Sequence, residues 1–382
     1  MLTLIAACAG LAAYKLAKPI KAEAWFSVTH EDITKKALKL LEKDGKVKQA
    51  QFYKPYHEEI LKGCTEPDQE DDIDRGPGMH FYSSRTPKGK ELKPVNGYYK
   101  NRLGKFAKSA RTLLEENYTS ALCLYKSGKT KEAMHYLARA AHFIEDLSCT
   151  VHVCNVEWVE RASNLHHAYE NSINITCSRF TAGEFDKRLL KTYEGDSFEN
   201  AANKLSVTAA RFLEKISEFD PLAFSFAGDN TLKMAQQNVM TLFLKFYDEA
   251  NGEKKNYITD GKKYTLKNEA SGLVLTVSEG NILPDKPDKT KTQKFTAFID
   301  SKGTIAFGTE DGGFINAKCK GLDTPKDADG AARFRLAALG NRRFRIMCGG
   351  DNFPLTLGIA RSGKLAISEF DPADKGQVWV IG

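Results

Sequence analysis

From about Thr29 to Gly252 apolar residues return at helical spacing, as in Ile33, Ala37, Leu40 and Leu41, and again in Leu103, Phe106, Ala110, Leu113 and Leu114. This stretch predicts an all-α domain. Thr29 is placed to cap the first helix, with Glu31 and Asp32 in its positive first turn, and Gly45 and Gly128 stand where helices should end. Gly76 to Tyr99 is rich in Pro, Gly, Lys and Ser without periodicity, and reads as a long loop. Past Gly252 the pattern changes to short alternating runs broken by Gly, Asn and Asp: Tyr264-Thr265-Leu266, Leu273 to Val277, Phe314-Ile315 and Phe344-Arg345-Ile346. That is all-β patterning.

Within the β region, Gln293-Lys294-Phe295, Ala332-Arg333-Phe334 and Gln377-Val378-Trp379 recur at roughly forty residues. About residues 256 to 382 thereby resemble a ricin-type β-trefoil, whose three lobes each carry a Gln-x-Trp element. Only the third lobe here keeps both the Gln and the Trp. The resemblance implies a trefoil fold and opens glycan binding as a role, although a trefoil core does not require it.

Composition narrows the setting. Residues 1–24 begin with the apolar run Leu2 to Ala9, too short to span a bilayer, and end in Ala22-Glu23-Ala24, with small residues where a signal peptidase selects them. The segment reads as a secretory signal peptide, with a retained anchor as the alternative; cleavage makes Trp25 the mature N-terminus and the protein extracellular. No later stretch reads as transmembrane. The whole chain carries a formal charge of +7, and losing Lys15, Lys18, Lys21 and Glu23 leaves it less basic but still positive, a weak attraction to anionic surfaces. Without Cys8 the cysteines are Cys64, Cys123, Cys149, Cys154, Cys177, Cys319 and Cys348, an odd set. Cys149 and Cys154 lack zinc-knuckle spacing and read as packing residues or one local disulfide.

The chemistry lies in the helical half. His142 and Asp146 stand four apart in a helical pattern, which puts both on one face where they can converge on a cation; His166 and Glu170 repeat the arrangement. Imidazole with carboxylate suits zinc. Either pair alone arises easily by chance, but the ordered set is longer: Trp25, His30, Asp68, His80, His142, Asp146, His152, His166 and Glu170.

That order resembles the bacterial zinc-dependent phospholipase C family, including the alpha-toxin type, over residues 25 to 250. The resemblance implies three zinc ions. The Trp25 amine and carbonyl with His30 and Asp146 would hold one, Asp68, His80, His142 and Asp146 a second, and His152, His166 and Glu170 a third, with Asp146 bridging the first two. It further implies a secreted phosphodiesterase that cleaves the glycerol-side bond of phospholipid, releasing diacylglycerol and a phosphorylated headgroup, with Asp68 as general base or water-orienting group. His57, His135 and His167 fall outside the motif; His135 lies one heptad before His142, and His167 reads as a surface or supporting residue. Phe81, Tyr82 and Trp158 stand near motif residues, where core packing or contact with a quaternary ammonium headgroup are the two roles.

Two other readings compete. Single-strand-specific zinc nucleases share the helical scaffold and a mature Trp, and the five-residue step from Trp25 to His30 looks like theirs. Against them, Glu170 stands where nucleases usually have Asp, and His152 and His166 are closer together. A phosphomonoesterase would use the same scaffold. The third reading, a carbohydrate-binding protein with an inert helical half, conflicts with the full ligand set. The trefoil-like pattern also departs from the C2-like lipid-binding domain of the alpha-toxin type, so toxicity and calcium-dependent membrane binding do not carry over.

Overall fold

The computed structural model describes residues 27–69, 71–75, 78–83, 99–100, 106–156, 163–195, 197–252, 256–288, 290–319, 321–324, 328–349 and 354–382. Residues 1–24, Trp25, Trp158 and most of the Gly76 to Tyr99 loop lie outside them. Helices fill the first part of the chain. In order they are α1 (Ser27–Lys43), α2 (Val47–Tyr53), α3 (His57–Thr65), α4 (Ala110–Lys126), α5 (Thr130–Asp146), the short α6 (Thr150–Val153), α7 (Ser163–Thr176), α8 (Arg188–Thr192), α9 (Glu199–Ala210), α10 (Leu213–Ile216) and α11 (Pro221–Asn251). No helix among the described residues is long and apolar enough to cross a membrane.

The capping chemistry sets several boundaries. Ser109 and Thr112 form a reciprocal capping box at the start of α4, and the Asp220 carboxylate accepts from the Leu222 and Ala223 amides ahead of Pro221 at the start of α11. Gly45 and Gly128 follow α1 and α4 with φ of +73° and +80°, the left-handed conformation that stops a helix. Two expectations fail. Thr29 is not a cap, because α1 already runs from Ser27 and the buried Thr29 hydroxyl instead donates to Asn174 Oδ1 at 3.4 Å. Phe106 is not helical: Phe106–Ala107 pairs antiparallel with Tyr99–Lys100, and α4 begins only at Ala110.

The helix α5 lies at the centre, packed on α3 and α4, with α11 against both α1 and α5. The approach of α3 is close: a Cβ on Gly63 would stand 2.2 Å from the His135 carbonyl oxygen. Only glycine permits that packing, and it brings the Cys64 backbone to the centre of the domain. Phe143, Phe243, Phe246 and Tyr53 fill the surrounding core.

Strands occupy the rest, from Lys263–Tyr264 to Trp379–Ile381. Antiparallel hairpins dominate. Glu279-Gly280 and Asn341-Arg342 both have positive φ at two-residue turns, the primed geometry that matches strand twist. The three recurring elements behave alike: each begins at the last residue of, or just after, a 3-10 turn, at Lys291–Gln293, Ala328–Gly330 and Lys375–Gln377, and each buries its aromatic residue, Phe295, Phe334 or Trp379, in one shared core. Gln293 and Gln377 are buried too. Each amide ties down its own preceding loop, accepting from the Asp288 or Asp371 backbone N–H at 2.9 Å and donating to the Lys286 or Glu369 carbonyl at 2.8 Å.

The β core is not self-contained, since Cys123 and Leu124 of α4 and Ala133 of α5 pack into it. Polar contacts follow the same seam. Thr119 Oγ1 accepts from the Ala338 amide at 3.0 Å, Ser127 Oγ accepts from the Asp260 amide at 2.9 Å, and Gly303 lies so close to α4 that a Cβ there would stand 2.6 Å from that of Ser120.

Candidate metal centre

The end of α5 brings the ligand set together. His142 and Asp146 share its inner face as the four-residue spacing requires, and His142 Nε2 stands 3.2 Å from Asp146 Oδ2. From α1, His30 stacks on His142 with ring centroids 3.9 Å apart. The 3-10 turn Glu66–Asp68 after α3 supplies Asp68, whose carboxylate lies 3.5 Å from His30 Nε2 and 3.7 Å from both His80 Nδ1 and His142 Nε2. His80 Nδ1 is 2.8 Å from Asp146 Oδ2. On the other side His152 of α6 links two acids, with Nδ1 at 2.9 Å from Asp146 Oδ1 and Nε2 at 3.0 Å from Glu170 Oε1. His166 completes that end at 2.9 Å from the same Glu170 oxygen.

All eight side chains are buried. Among the described residues three groups of possible ligand atoms lie within 4.8 Å of one another: His30, His142 and Asp146; Asp68, His80 and His142; and Cys149, a residue outside the eight, with His152 and Glu170. The sulfur of Cys149 thus stands beside the His152 end. No disulfide joins it to Cys154: all the described cysteines are thiols.

Backbone and carboxylate partners fix the rings. His142 Nδ1 donates to the Cys64 carbonyl at 2.9 Å and His166 Nδ1 to the Val156 carbonyl at 2.7 Å. Each bond settles the tautomer and turns Nε2, as an acceptor, into the cluster. His30 Nδ1 bonds Glu145, whose other oxygen accepts from Thr34 Oγ1 at 2.8 Å. Glu145 is a supporting residue that the ligand motif does not contain. The one hint is an acid beside Asp146, pointed by helical geometry toward α1.

Electrostatics make the cluster costly without a cation. Burial pushes Asp68 up to about 7, and burial also lifts the Glu145 carboxyl well above the ordinary range. Burial works against charge at Glu170 as well, but His166 and His152 overcome it and hold that carboxyl at about 2. Desolvation depresses His30, reinforced by the neighbouring His142. Asp68 Oδ2 and His80 Nε2 are buried with no hydrogen-bond partner among the described residues, and Asp146 Oδ1 and His152 Nδ1 have only each other, at 2.9 Å. Unsatisfied nitrogen and oxygen donors converging at short range are what a zinc ion accepts.

The family model for zinc dependent phospholipase C matches residues 29–222. The chain belongs to that family. It is therefore a zinc-dependent enzyme of phospholipase C type. Among solved structures it is similar to alpha-toxin from an avian strain of Clostridium perfringens, with 16% identity and a TM-score of 0.48 over 93% of this chain and 96% of that one. Alpha toxin from Clostridium absonum gives 15% and 0.46 over the same shares. Over 32% of its length the chain is also similar to the ricin B-like lectin of Macrolepiota procera, solved with lactose, at 17% identity and a TM-score of 0.25, covering 96% of that chain. Among curated proteins no match was found.

The remaining candidates fall outside the cluster. His135 faces Glu66 rather than the cluster, and His57 is exposed. His167 is half-buried beside His166. Phe81 packs against His152 and His166 with centroids 5.3 and 6.0 Å away, so it walls the cluster; Tyr82 is turned into the core and bonds Asn203.

Proposed function

We propose that the chain is a secreted phospholipase C that hydrolyses the glycerol-side phosphodiester bond of phosphatidylcholine-like lipids at a site of three zinc ions. The observation that supports it best is the convergence of His30, Asp68, His80, His142, Asp146, His152, His166 and Glu170 in one buried cluster of a family member. Cleavage after Ala24 would free the Trp25 amine to join His30 and Asp146 at one ion. Asp68, His80, His142 and Asp146 would hold the second; His152, His166 and Glu170 the third. The division into 25–252 as catalytic domain and 256–382 as trefoil belongs to the same reading, with glycans as the partner of the trefoil.

Bound there, zinc supplies Lewis acidity that activates water near neutral pH and offsets charge on the phosphoryl oxygens. The protein's part is positioning. Asp68 Oδ2, buried and without a hydrogen-bond partner among the described residues, would orient the attacking water and accept its proton. The Cys64 and Val156 carbonyls take the Nδ1 protons of His142 and His166, which leaves Nε2 of each ring as the atom that would hold an ion. Phe81 excludes bulk water from one side, which strengthens every charge interaction inside.

His142→Ala and Asp146→Asn are expected to lower phosphatidylcholine hydrolysis at least about a hundredfold, with zinc content falling in step. Full turnover in folded variants would sink the assignment. Cleavage of single-stranded DNA without action on phosphatidylcholine would move the function to a nuclease on the same scaffold.

A further inference from the structure

The segment between Asp68 and His80 is held near its middle by the other domain. Asp74 is fully buried, and its Oδ1 accepts from Arg335 Nη1 at 2.8 Å, although Arg335 lies in the β strand Arg335–Gly340. Asp74 Oδ2 accepts from Arg139 Nη2 at 2.7 Å and from Asn117 Nδ2 at 3.1 Å. Arg335 also donates to Asn117 Oδ1 at 3.2 Å and stands 3.2 Å from Glu116. One β-domain guanidinium thus engages three groups of the helical domain.

The network then runs to the metal cluster. Arg139 Nη1 donates to Glu66 Oε2 at 2.8 Å and to Asp72 Oδ2 at 2.7 Å, while Nη2 reaches Asp72 Oδ1 at 2.6 Å. Glu66 occupies the same 3-10 turn as Asp68, and Arg139 sits one helical turn before His142 on α5. Between Asp68 and His80 the chain is therefore tied at Asp72 and Asp74, and both ties depend on a guanidinium balance set partly from the β domain.

We infer that Arg335 is a positioning residue for the metal centre, fixing the Asp68–His80 segment through Asp74. The β domain on this account supports the metal centre as well as occupying its own place in the chain. The inference rests on reading Asp68 and His80 as zinc ligands.

The physical reason is an imbalance of buried charge. Removing Arg335 leaves Asp74 to compete with Asp72 and Glu66 for Arg139 alone, and leaves buried Glu116 with Lys108 at 3.9 Å. An uncompensated buried carboxylate seeks water, and the route open to it is displacement of the 71–75 segment. Ligand supports of this kind typically change metal affinity by about 10–100-fold.

The test uses full-length protein and zinc itself. Stepwise chelator competition is run on wild type, Arg335→Ala and Arg335→Lys, with far-UV circular dichroism and thermal melting alongside. In Arg335→Ala one zinc is expected to leave about 10–100-fold more readily, while the zinc at His152, His166 and Glu170 keeps its wild-type affinity. Arg335→Lys should recover part of the loss, since lysine restores the charge but cannot fork to Asp74 and Asn117. Should Arg335→Ala fail to fold, the same selective weakening in Arg335→Lys decides the matter. Equal weakening of every zinc, or none, overturns the proposal. Zinc held as tightly in Asp68→Asn, with Arg335 intact, as in wild type would instead refute the ligand reading, and the positioning role with it.

Discussion

Around Asp146 the helical domain buries His30, Asp68, His142, His152 and Glu170, whereas around Trp379 the β domain buries Phe295, Phe334, Phe344 and Leu357. Both interiors are closed to water, yet they do opposite things to the fold. Burying apolar surface contributes roughly 25 cal/mol per Å², so the β interior stabilises itself as it closes. Burying charge costs free energy until a counter-charge arrives, so the helical interior stores a demand for cations. The contrast explains why supports such as Glu145, Thr34 and the Cys64 carbonyl crowd the first interior, while buried amides of the second, Gln293 and Gln377, serve to tie down loops.

The widest break in this contrast should come from removing zinc. A cation held at about a thousand times its dissociation constant contributes about 4 kcal/mol, so amide exchange in α5 should quicken on the order of a thousandfold on chelation. Exchange in Phe295–Ile299 should stay unchanged; equal acceleration of both would erase the distinction. Next in size is Trp379→Ala, which empties the β core and breaks the 2.8 Å bond from the indole N–H to the Leu357 carbonyl. Urea unfolding should report a loss of about 3–5 kcal/mol with zinc content intact.

The smallest effect is at the seam. Asp74→Asn should cost about 3 kcal/mol at pH 7, because a buried and a largely buried guanidinium lose their shared carboxylate. Burial works against its charge, but Arg335 and Arg139 hold Asp74 well below its ordinary 3.8. A depressed carboxyl stabilises above its unfolded value and stops doing so as pH falls through the folded one. The gap between wild type and Asp74→Asn should therefore be constant from pH 7 to about 5 and narrow below 3.8. A gap that widens with acid would contradict the charge balance drawn here.

Local rules made part of this legible. The four-residue spacings of His142 with Asp146 and of His166 with Glu170 became shared helical faces, because a helix leaves no other outcome. The recurring Phe295, Phe334 and Trp379 likewise converged on one core. Other features depend on distance in space. Arg335 is an ordinary surface-type residue in an alternating strand pattern, and nothing local says that its partner is Asp74, 261 residues away. Glu145 was hidden by its neighbour Asp146, and its role exists only because α1 brings Thr34 and His30 against it. Thr29 and Phe106 misled for a simpler reason: each fits a local preference that the packed neighbours override.

The closing strand Trp379–Ile381 pairs on one side with Leu266–Asn268, the start of the β domain, and on the other with Arg343–Met347. During synthesis the chain emerges from its amino end, so this part of the sheet stays open until Trp379–Ile381 has left the ribosome. Until then Cys123, Leu124 and Ala133 on the finished helices face solvent without their partners. A message truncated just before Trp379 would thus yield a protein with the whole buried His/Asp/Glu cluster present and a greasy, unzipped flank, the kind of product that chaperones hold and proteases clear.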